Sequence, residues 1–251
     1  MAISLRSRQQ IALLREAGRL VAETFEHLRP HVQPGITTRE LDRMAEKFIR
    51  ARGAIPVYKG YNGFPATICV AINNVICHGI PDKTQLHEGD IIGVDIGAKL
   101  DGWIGDSCVT LPVGAVAPEV QRLLDVTEEC MWRGIRVARA GNRLGDVGAA
   151  IQEYAEANGF SVVREYTGHG VGQVLHDEPR NIPHYGKPGT GLRLQPGLVF
   201  TVEPMINVGK PDTTLDRRDG WTVRTADGSL SAQFEHSIAV TDGEPIILTA
   251  L

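Results

Sequence analysis

The stretch Asp90-Ile-Ile-Gly-Val-Asp95-Ile-Gly-Ala-Lys-Leu-Asp101-Gly102-Trp-Ile-Gly-Asp106-Ser-Cys-Val-Thr110 holds two strand-like runs, Asp90–Ala98 and Trp103–Thr110, around a short break of turn residues. Folded as a hairpin about Leu100-Asp101, it sets Asp95 directly opposite Asp106. Opposed residues share a face, with Cβ atoms about 4.5–5.5 Å apart. Two carboxylates at that distance repel unless something positive lies between them, and a divalent cation would supply it. A turn residue or an arginine partner would explain either aspartate taken alone. Asp101, next to Gly102, is accounted for by turn chemistry.

Working outward, Ile11, Leu14, Ala17, Val21, Phe25 and Leu28 recur every three or four residues and predict an amphipathic helix stopped by Pro30. Thr37-Thr-Arg-Glu40 fits a capping box for a second helix that buries Leu41, Met44, Ala45, Phe48 and Ile49 and stops at Gly53. Another strand is expected at Ala66–Ile72. Past the linker Pro112–Pro118 the order repeats: helices over about Glu119–Ala138 and Gly145–Ala157, then strands at Ser161–Val163, Leu198–Ile206, Trp221–Thr225, Ser231–Thr241 and Ile246–Leu248. Asp227-Gly228 reads as a hairpin turn. The element order predicts an α+β fold: one domain over residues 1–251, made of two halves, about 1–112 and 118–251, sharing a sheet. No letter-level repeat marks the duplication.

Composition excludes several classes. The 251 residues are 42% hydrophobic and 22% charged, with a net charge of −4; this is globular rather than disordered. There is no basic run to bind nucleic acid or an anionic membrane, and no apolar run near the roughly 18–20 residues of a spanning helix. The start, Met1-Ala-Ile-Ser-Leu-Arg, lacks the pattern of a signal peptide. Cys69, Cys77, Cys108 and Cys130 form no CxxC pair and are expected as reduced thiols in a cytoplasmic protein.

Further chemistry sits in the second half. Thr167-Gly-His169-Gly-Val-Gly-Gln-Val-Leu-His176 exposes a histidine between glycines but lacks the GxGxxG spacing of a phosphate loop. Leu198-Val-Phe-Thr-Val-Glu203-Pro204-Met-Ile206 and Ser231-Ala-Gln-Phe-Glu235-His-Ser-Ile-Ala-Val240 each place a glutamate in a core-like strand, where a carboxylate needs a partner. Either glutamate alone would suit a buried salt bridge. Four carboxylates and a histidine without matching lysines or arginines in those strands point instead to a site for two divalent ions. The oxygen-rich, thiolate-free donor set suits Mn, Fe(II) or Co at least as well as Zn.

At these residues the whole chain resembles the type I methionine aminopeptidases. The resemblance is carried by Ile76-Cys77-His78-Gly79-Ile80-Pro81, the aspartates Asp95 and Asp106, Gly168-His169-Gly170-Val-Gly172, His176-Asp-Glu-Pro179, Thr201-Val-Glu203-Pro204 and Gln233-Phe-Glu235-His236, all in family order. It implies a pita-bread fold, two pseudo-symmetric halves on a curved antiparallel sheet, with Asp95, Asp106, His169, Glu203 and Glu235 as ligands of two metal ions. It also implies catalytic roles for three residues: Glu203 takes the proton of the attacking water, His176 bonds the scissile carbonyl, and His78 contacts the substrate backbone. Asp95 would help hold the free α-amine. Tyr61, Phe64, Cys69 and Trp221 would line the methionine pocket, while Leu175 and Asn62 depart from residues common in relatives. The carbonyls of Asn73 and Val75, with Ser231, match a monovalent-cation site of some members.

The implied activity is removal of the initiator methionine when the second residue is small. The implied partners are N-terminal peptides of nascent proteins, with the ribosome a candidate and the chain acting as a monomer. Two rivals are weighed: an X-Pro aminopeptidase or prolidase of the same fold, and a non-catalytic peptide-binding relative. The first usually carries an added N-terminal domain, and the second would lack ligands that are all present here. His27, His31, His87 and His184 are read as surface or structural.

Overall fold

Ser7 starts the first helix, α1 (Arg8–Leu28), through a reciprocal cap: its hydroxyl accepts from the Gln10 N–H while the Gln10 side chain accepts from the Ser7 N–H. The computed structural model describes residues 3–251, so the Met1-Ala2 start lies outside the described residues. Thr37 and Glu40 close the expected capping box on α2 (Thr38–Ala51), and Gly53 follows it in the left-handed region at φ 76°. Pro118 supplies the first residue of α3 (Pro118–Val137), where its missing N–H costs nothing. The Asp146 carboxylate accepts the Arg143 N–H at the start of α4 (Leu144–Ala157).

Between α2 and α3 run β1 (Ile55–Pro56), β2 (Ile68–Ile72), β3 (Val75–Cys77), β4 (Ile91–Leu100) and β5 (Trp103–Pro112). After α4 come β6 (Ser161–Val162), β7 (Gly168–Gly170), β8 (Asp177–Ile182), β9 (Val199–Val202) and β10 (Met205–Asn207). The chain ends with β11 (Thr213–Leu215), β12 (Val223–Thr225), β13 (Ser231–Gln233), β14 (His236–Ala239) and β15 (Ile246–Ile247). The fold is the expected α+β, a helix pair against each group of antiparallel strands. Among the described residues the hydrogen-bonded ladders are four: β1-β4-β2 with β5 on β4, β13-β10-β6, β11-β12-β3, and β15-β14-β9-β7-β8. Single bonds bridge them, such as Glu235 N–H to the Cys108 carbonyl at 2.8 Å.

Three expectations are corrected. The long hairpin turns at Asp101-Gly102, both with positive φ (47° and 85°), and pairs Leu100 with Trp103. Asp95 therefore faces Cys108, and Asp106 faces Gly97. The two-residue type I′ preference of Asp-Gly sets this register. A shift of two keeps the parity, so both aspartates still share a face as diagonal neighbours. Next, the runs Leu198–Ile206 and Ser231–Thr241 are each broken at their glutamate: β9 stops before Glu203-Pro204 and β13 stops before Phe234-Glu235. Finally, Asp227-Gly228 turns the chain, but β12 pairs with β11 and β3 while β13 pairs with β10, so the flanking strands form no hairpin.

The buried core has a centre under each helix pair. Leu20, Val21, Phe25, Leu41 and Ile49 pack on Ile68, Val70, Ile92, Val94 and Ile96. Leu123, Met131, Ile135, Val147 and Ile151 pack on Phe200, Val202, Ile206 and Ile238. A third cluster joins Leu14, Trp103 and Ile104 to Val171, Leu175, Val199 and Leu248 across the molecule. Helix α1 approaches β5 so closely that a Cβ on Gly105 would collide with the Ala17 carbonyl and the Gly18 Cα. Gly105→Ala should therefore lower unfolding stability by about 1–3 kcal/mol; an unshifted urea midpoint would contradict this packing.

Candidate metal centre

Asp95 and Asp106 stand on the shared face of the β4–β5 hairpin, and the Tyr58 hydroxyl lies within hydrogen-bond reach of Oδ1 of each, 2.5 Å from that of Asp95. One hydroxyl proton cannot satisfy two carboxylates, so the second oxygen needs its own proton or a cation. His169 comes from β7, where its Nδ1 lies 2.9 Å from the Gly170 carbonyl. A donating Nδ1–H leaves the Nε2 lone pair free, the tautomer that suits a metal ligand. That Nε2 is 3.5 Å from Asp106 Oδ2 and 3.7 Å from Glu203 Oε1. Donors held about 2.1 Å from one ion at ordinary angles lie about 3–3.5 Å apart.

The strand breaks supply the two glutamates. At Glu203 the backbone N–H leaves the ladder and is accepted by His184 Nε2 at 3.1 Å, and Pro204 has no N–H to continue. Thr201 Oγ1 donates to Glu203 Oε1 at 2.6 Å, and Gln233 Nε2 donates to Oε2 at 3.2 Å. Glu235 is tied at its backbone, its N–H to Cys108 and its carbonyl to the Ser107 hydroxyl. Next to it the Ser237 hydroxyl donates to the Asp106 carbonyl at 2.7 Å, so the strands bearing Asp106 and Glu235 are fixed to each other. Ligand-type atoms of Asp106, His169 and Glu235 all lie within 4.8 Å of one another.

All five donors line one cavity of about 350 Å³, together with His78, His176, Tyr61, Phe64, Cys69 and Trp221. Its floor is buried, with Asp106, Glu203, Glu235 and His169 between 3% and 8% exposed; its rim carries the exposed Asn62, Glu165 and Arg180. Phe64 meets Trp221 edge-on at 5.2 Å, and Leu175 closes the apolar wall. His176 Nδ1 is 2.6 Å from the Tyr61 hydroxyl, and its ring stands 4.2 Å from that of His169. His78 holds a left-handed backbone at φ 58°, a strained conformation for a non-glycine residue. Asn73 and Val75 line a separate cavity of about 520 Å³. Ser231 donates its N–H to the Asn73 carbonyl at 2.9 Å, and its buried hydroxyl has no partner among the described residues.

Burial, with mutual repulsion added, pushes the carboxyls of Asp95, Glu203 and Glu235 well above the usual range, and burial lifts Asp106 to about 7. Burial also lowers His78, His169 and His176 to about 4 and His184 to about 3, so all four are neutral at pH 7. A buried set of four carboxylates and a neutral imidazole, with Arg180 at the rim as the one lysine or arginine among the lining residues, is the donor chemistry that one or two divalent cations complete.

Sequence reasoning missed Tyr58, which lies in an aperiodic loop and gives no signal. Thr201 lies two residues before Glu203 and bonds it, whereas Gln233 reaches Glu203 from another strand and gives no local signal. His184 is structural, as read, and fully buried beneath Glu203. All four cysteines are free and buried.

Residues 12–242 match metallopeptidase family M24. The chain is 54% identical over 248 residues to methionine aminopeptidase A of Synechocystis sp., covering 98% of this chain and 97% of that protein. The solved methionine aminopeptidase of Rickettsia prowazekii superposes with a TM-score of 0.97 at 50% identity, covering 99% of this chain and 100% of that one. An Xaa-Pro dipeptidase from Bacillus anthracis shares the fold alone, with a TM-score of 0.77 at 23% identity over 98% of this chain and 61% of that one.

In metal-free protein the raised carboxyls keep protons that the unfolded chain gives up near pH 4, so they lose stability as pH rises. The lowered histidines, His236 at about 4 included, act the other way, but only up to their unfolded value of about 6.5. Chelated protein should thus lose melting temperature between about pH 6.5 and 8, and a divalent ion should offset the loss. A melting temperature that rises across that window without metal would contradict the assignment.

Proposed function

Because the chain belongs to metallopeptidase family M24, in its type I methionine aminopeptidase branch, we propose that it hydrolyses the first peptide bond of nascent proteins, releasing the initiator methionine when the second residue is small. The observation that carries this reading is the group formed by buried Asp106, His169, Glu203 and Glu235 with half-buried Asp95, lining one cavity with an apolar flank. These five would hold two divalent ions from among Mn, Fe(II), Co and Zn. When bound, the ions supply Lewis acidity for the hydrolytic water and the scissile carbonyl.

The chain's own residues do the rest. Asp95 would help hold the substrate's free α-amine. Tyr61, Phe64, Cys69 and Trp221 receive the methionine side chain, whose soft thioether suits aromatic contact. Glu203, oriented by Thr201 and Gln233, takes a proton from the attacking water and returns it to the leaving amine nitrogen. In the tautomer where the Tyr61 hydroxyl donates to Nδ1, His176 carries its proton on Nε2 and hydrogen-bonds the carbonyl oxygen as charge develops there. His78 steadies the peptide backbone beside the cleaved bond.

The carbonyls of Asn73 and Val75, with Ser231, would form a monovalent-cation site. The protein would act in the cytoplasm, as a monomer, on chains emerging from the ribosome. No helix among the described residues is long and apolar enough to cross a membrane.

Chelator-stripped protein should release methionine from Met-Ala-Ser only when one of the four metals is restored, and should leave an Xaa-Pro peptide intact. Release from Xaa-Pro alone would move the specificity to the prolidase side, and silence on both would favour a binding protein. Glu203→Ala should reduce kcat by about 10²–10⁴-fold while the circular dichroism spectrum is kept; near-normal turnover would remove the proton-transfer role.

A further inference from the structure

His176 and Leu175 reach the cavity from a loop, residues 171–176, that contains no regular structure. Its start is held by Ile104 N–H donating to the Gly172 carbonyl at 2.9 Å and by the Lys99 ammonium on the Gln173 carbonyl at 3.0 Å. Its end, Asp177, is held by a residue 171 positions away: the Arg6 guanidinium pairs with Asp177 Oδ2, while Asp177 Oδ1 accepts the Glu178 N–H. The same guanidinium packs beside Gly172 at the loop's start, where an added Cβ would come against it. The pair is sheltered, at 14% and 22% side-chain exposure. The Arg6 backbone N–H is bonded to the Gly197 carbonyl at 2.7 Å, and its guanidinium carbon lies 5.5 Å from the Trp103 ring centre.

From this geometry we infer that Arg6, on the arm before α1, is a positioning residue for catalysis: it ties down Asp177, packs beside Gly172, and so fixes His176 against the substrate carbonyl. The inference rests on the role given to His176 above. The sheltered setting makes the Arg6–Asp177 charge pair more than a surface tether, since it is screened less than an exposed pair. Misplacing a group that acts at the transition state by about 1 Å can cost on the order of 10²-fold in rate. An interaction made with the developing oxyanion shows in kcat rather than in KM.

The test is a double-mutant cycle on metal-loaded enzyme with Met-Ala-Ser, using Arg6→Ala, Arg6→Lys, His176→Ala and the Arg6→Ala/His176→Ala pair. Arg6→Ala should lower kcat about tenfold or more with KM within about twofold. Arg6→Lys should restore most of the loss. In the His176→Ala background the same Arg6→Ala change should cost less than about twofold, because the residue through which it acts is gone. Hydrogen exchange should quicken at amides 172–177 in Arg6→Ala and stay unchanged in α3 and α4. Equal fold losses in both backgrounds, or an unchanged kcat in Arg6→Ala, would overturn the inference. Near-normal activity of His176→Ala alone would overturn both the role of His176 and this inference, and the single variant separates that outcome from the others.

Discussion

Repulsion among four carboxylates sharing one buried cavity is the constraint that the rest of the structure answers. Burial makes all four costly to ionise, and repulsion from neighbouring carboxylates adds to that cost at Asp95, Glu203 and Glu235. The strands that carry them are therefore bound to one another at the donor positions themselves. Ser107 bonds the Glu235 carbonyl, Ser237 bonds the Asp106 carbonyl, and Thr110 both donates to and accepts from the Gln233 backbone. These small hydroxyls lock the two halves at the one place where electrostatics would push them open. Tyr58, whose own hydroxyl is kept protonated by burial and by the charges of Asp106 and Asp95, spans the remaining aspartate pair.

The irregularities in the sheets follow from the same requirement. A residue within a regular ladder spends its N–H on a neighbouring strand and points its side chain where the pleat dictates. Glu203 and Glu235 sit where the ladder stops, so their backbones bond elsewhere, to His184 Nε2 and to the Cys108 carbonyl. The side chains are thereby freed from strict alternation and can be aimed at a common point. Neutral His184, lowered to about 3 by burial, accepts the Glu203 N–H without adding charge to the site.

The helices were legible because their signals are local: a three-to-four residue period, a threonine–glutamate cap, a glycine or proline stop. The aspartates survived an incorrect hairpin register because an error of two residues preserves the face, whereas an error of one would have turned Asp106 away. Asp227-Gly228 misled because turn chemistry fixes a local reversal and says nothing about which strands then pair. Tyr58 and Arg6 were not legible, because their partners are distant in sequence and no periodicity reports a contact across 171 positions. The Ser7–Gln10 cap, by contrast, is as local a signal as that of Thr37 and Glu40.

Cysteine placement bears on what the site can hold. Cys69 and Cys77 line the cavity beside the carboxylates, and Cys108 sits behind them on β5, yet burial first and the neighbouring charges second push all three thiols well above their ordinary value. A thiol binds a metal as a thiolate, and forming one here would add negative charge to a site already crowded with it. The same field that makes the carboxylates need a cation thus keeps the sulfurs protonated and out of the donor set. What remains in the proposed ligand set is four carboxylates and the imidazole of His169, whose Nδ1 faces the Gly170 carbonyl and leaves Nε2 free. An oxygen-rich set without sulfur gives up the softness that favours copper(I) or structural zinc and leaves geometry and availability to choose among the harder divalent ions.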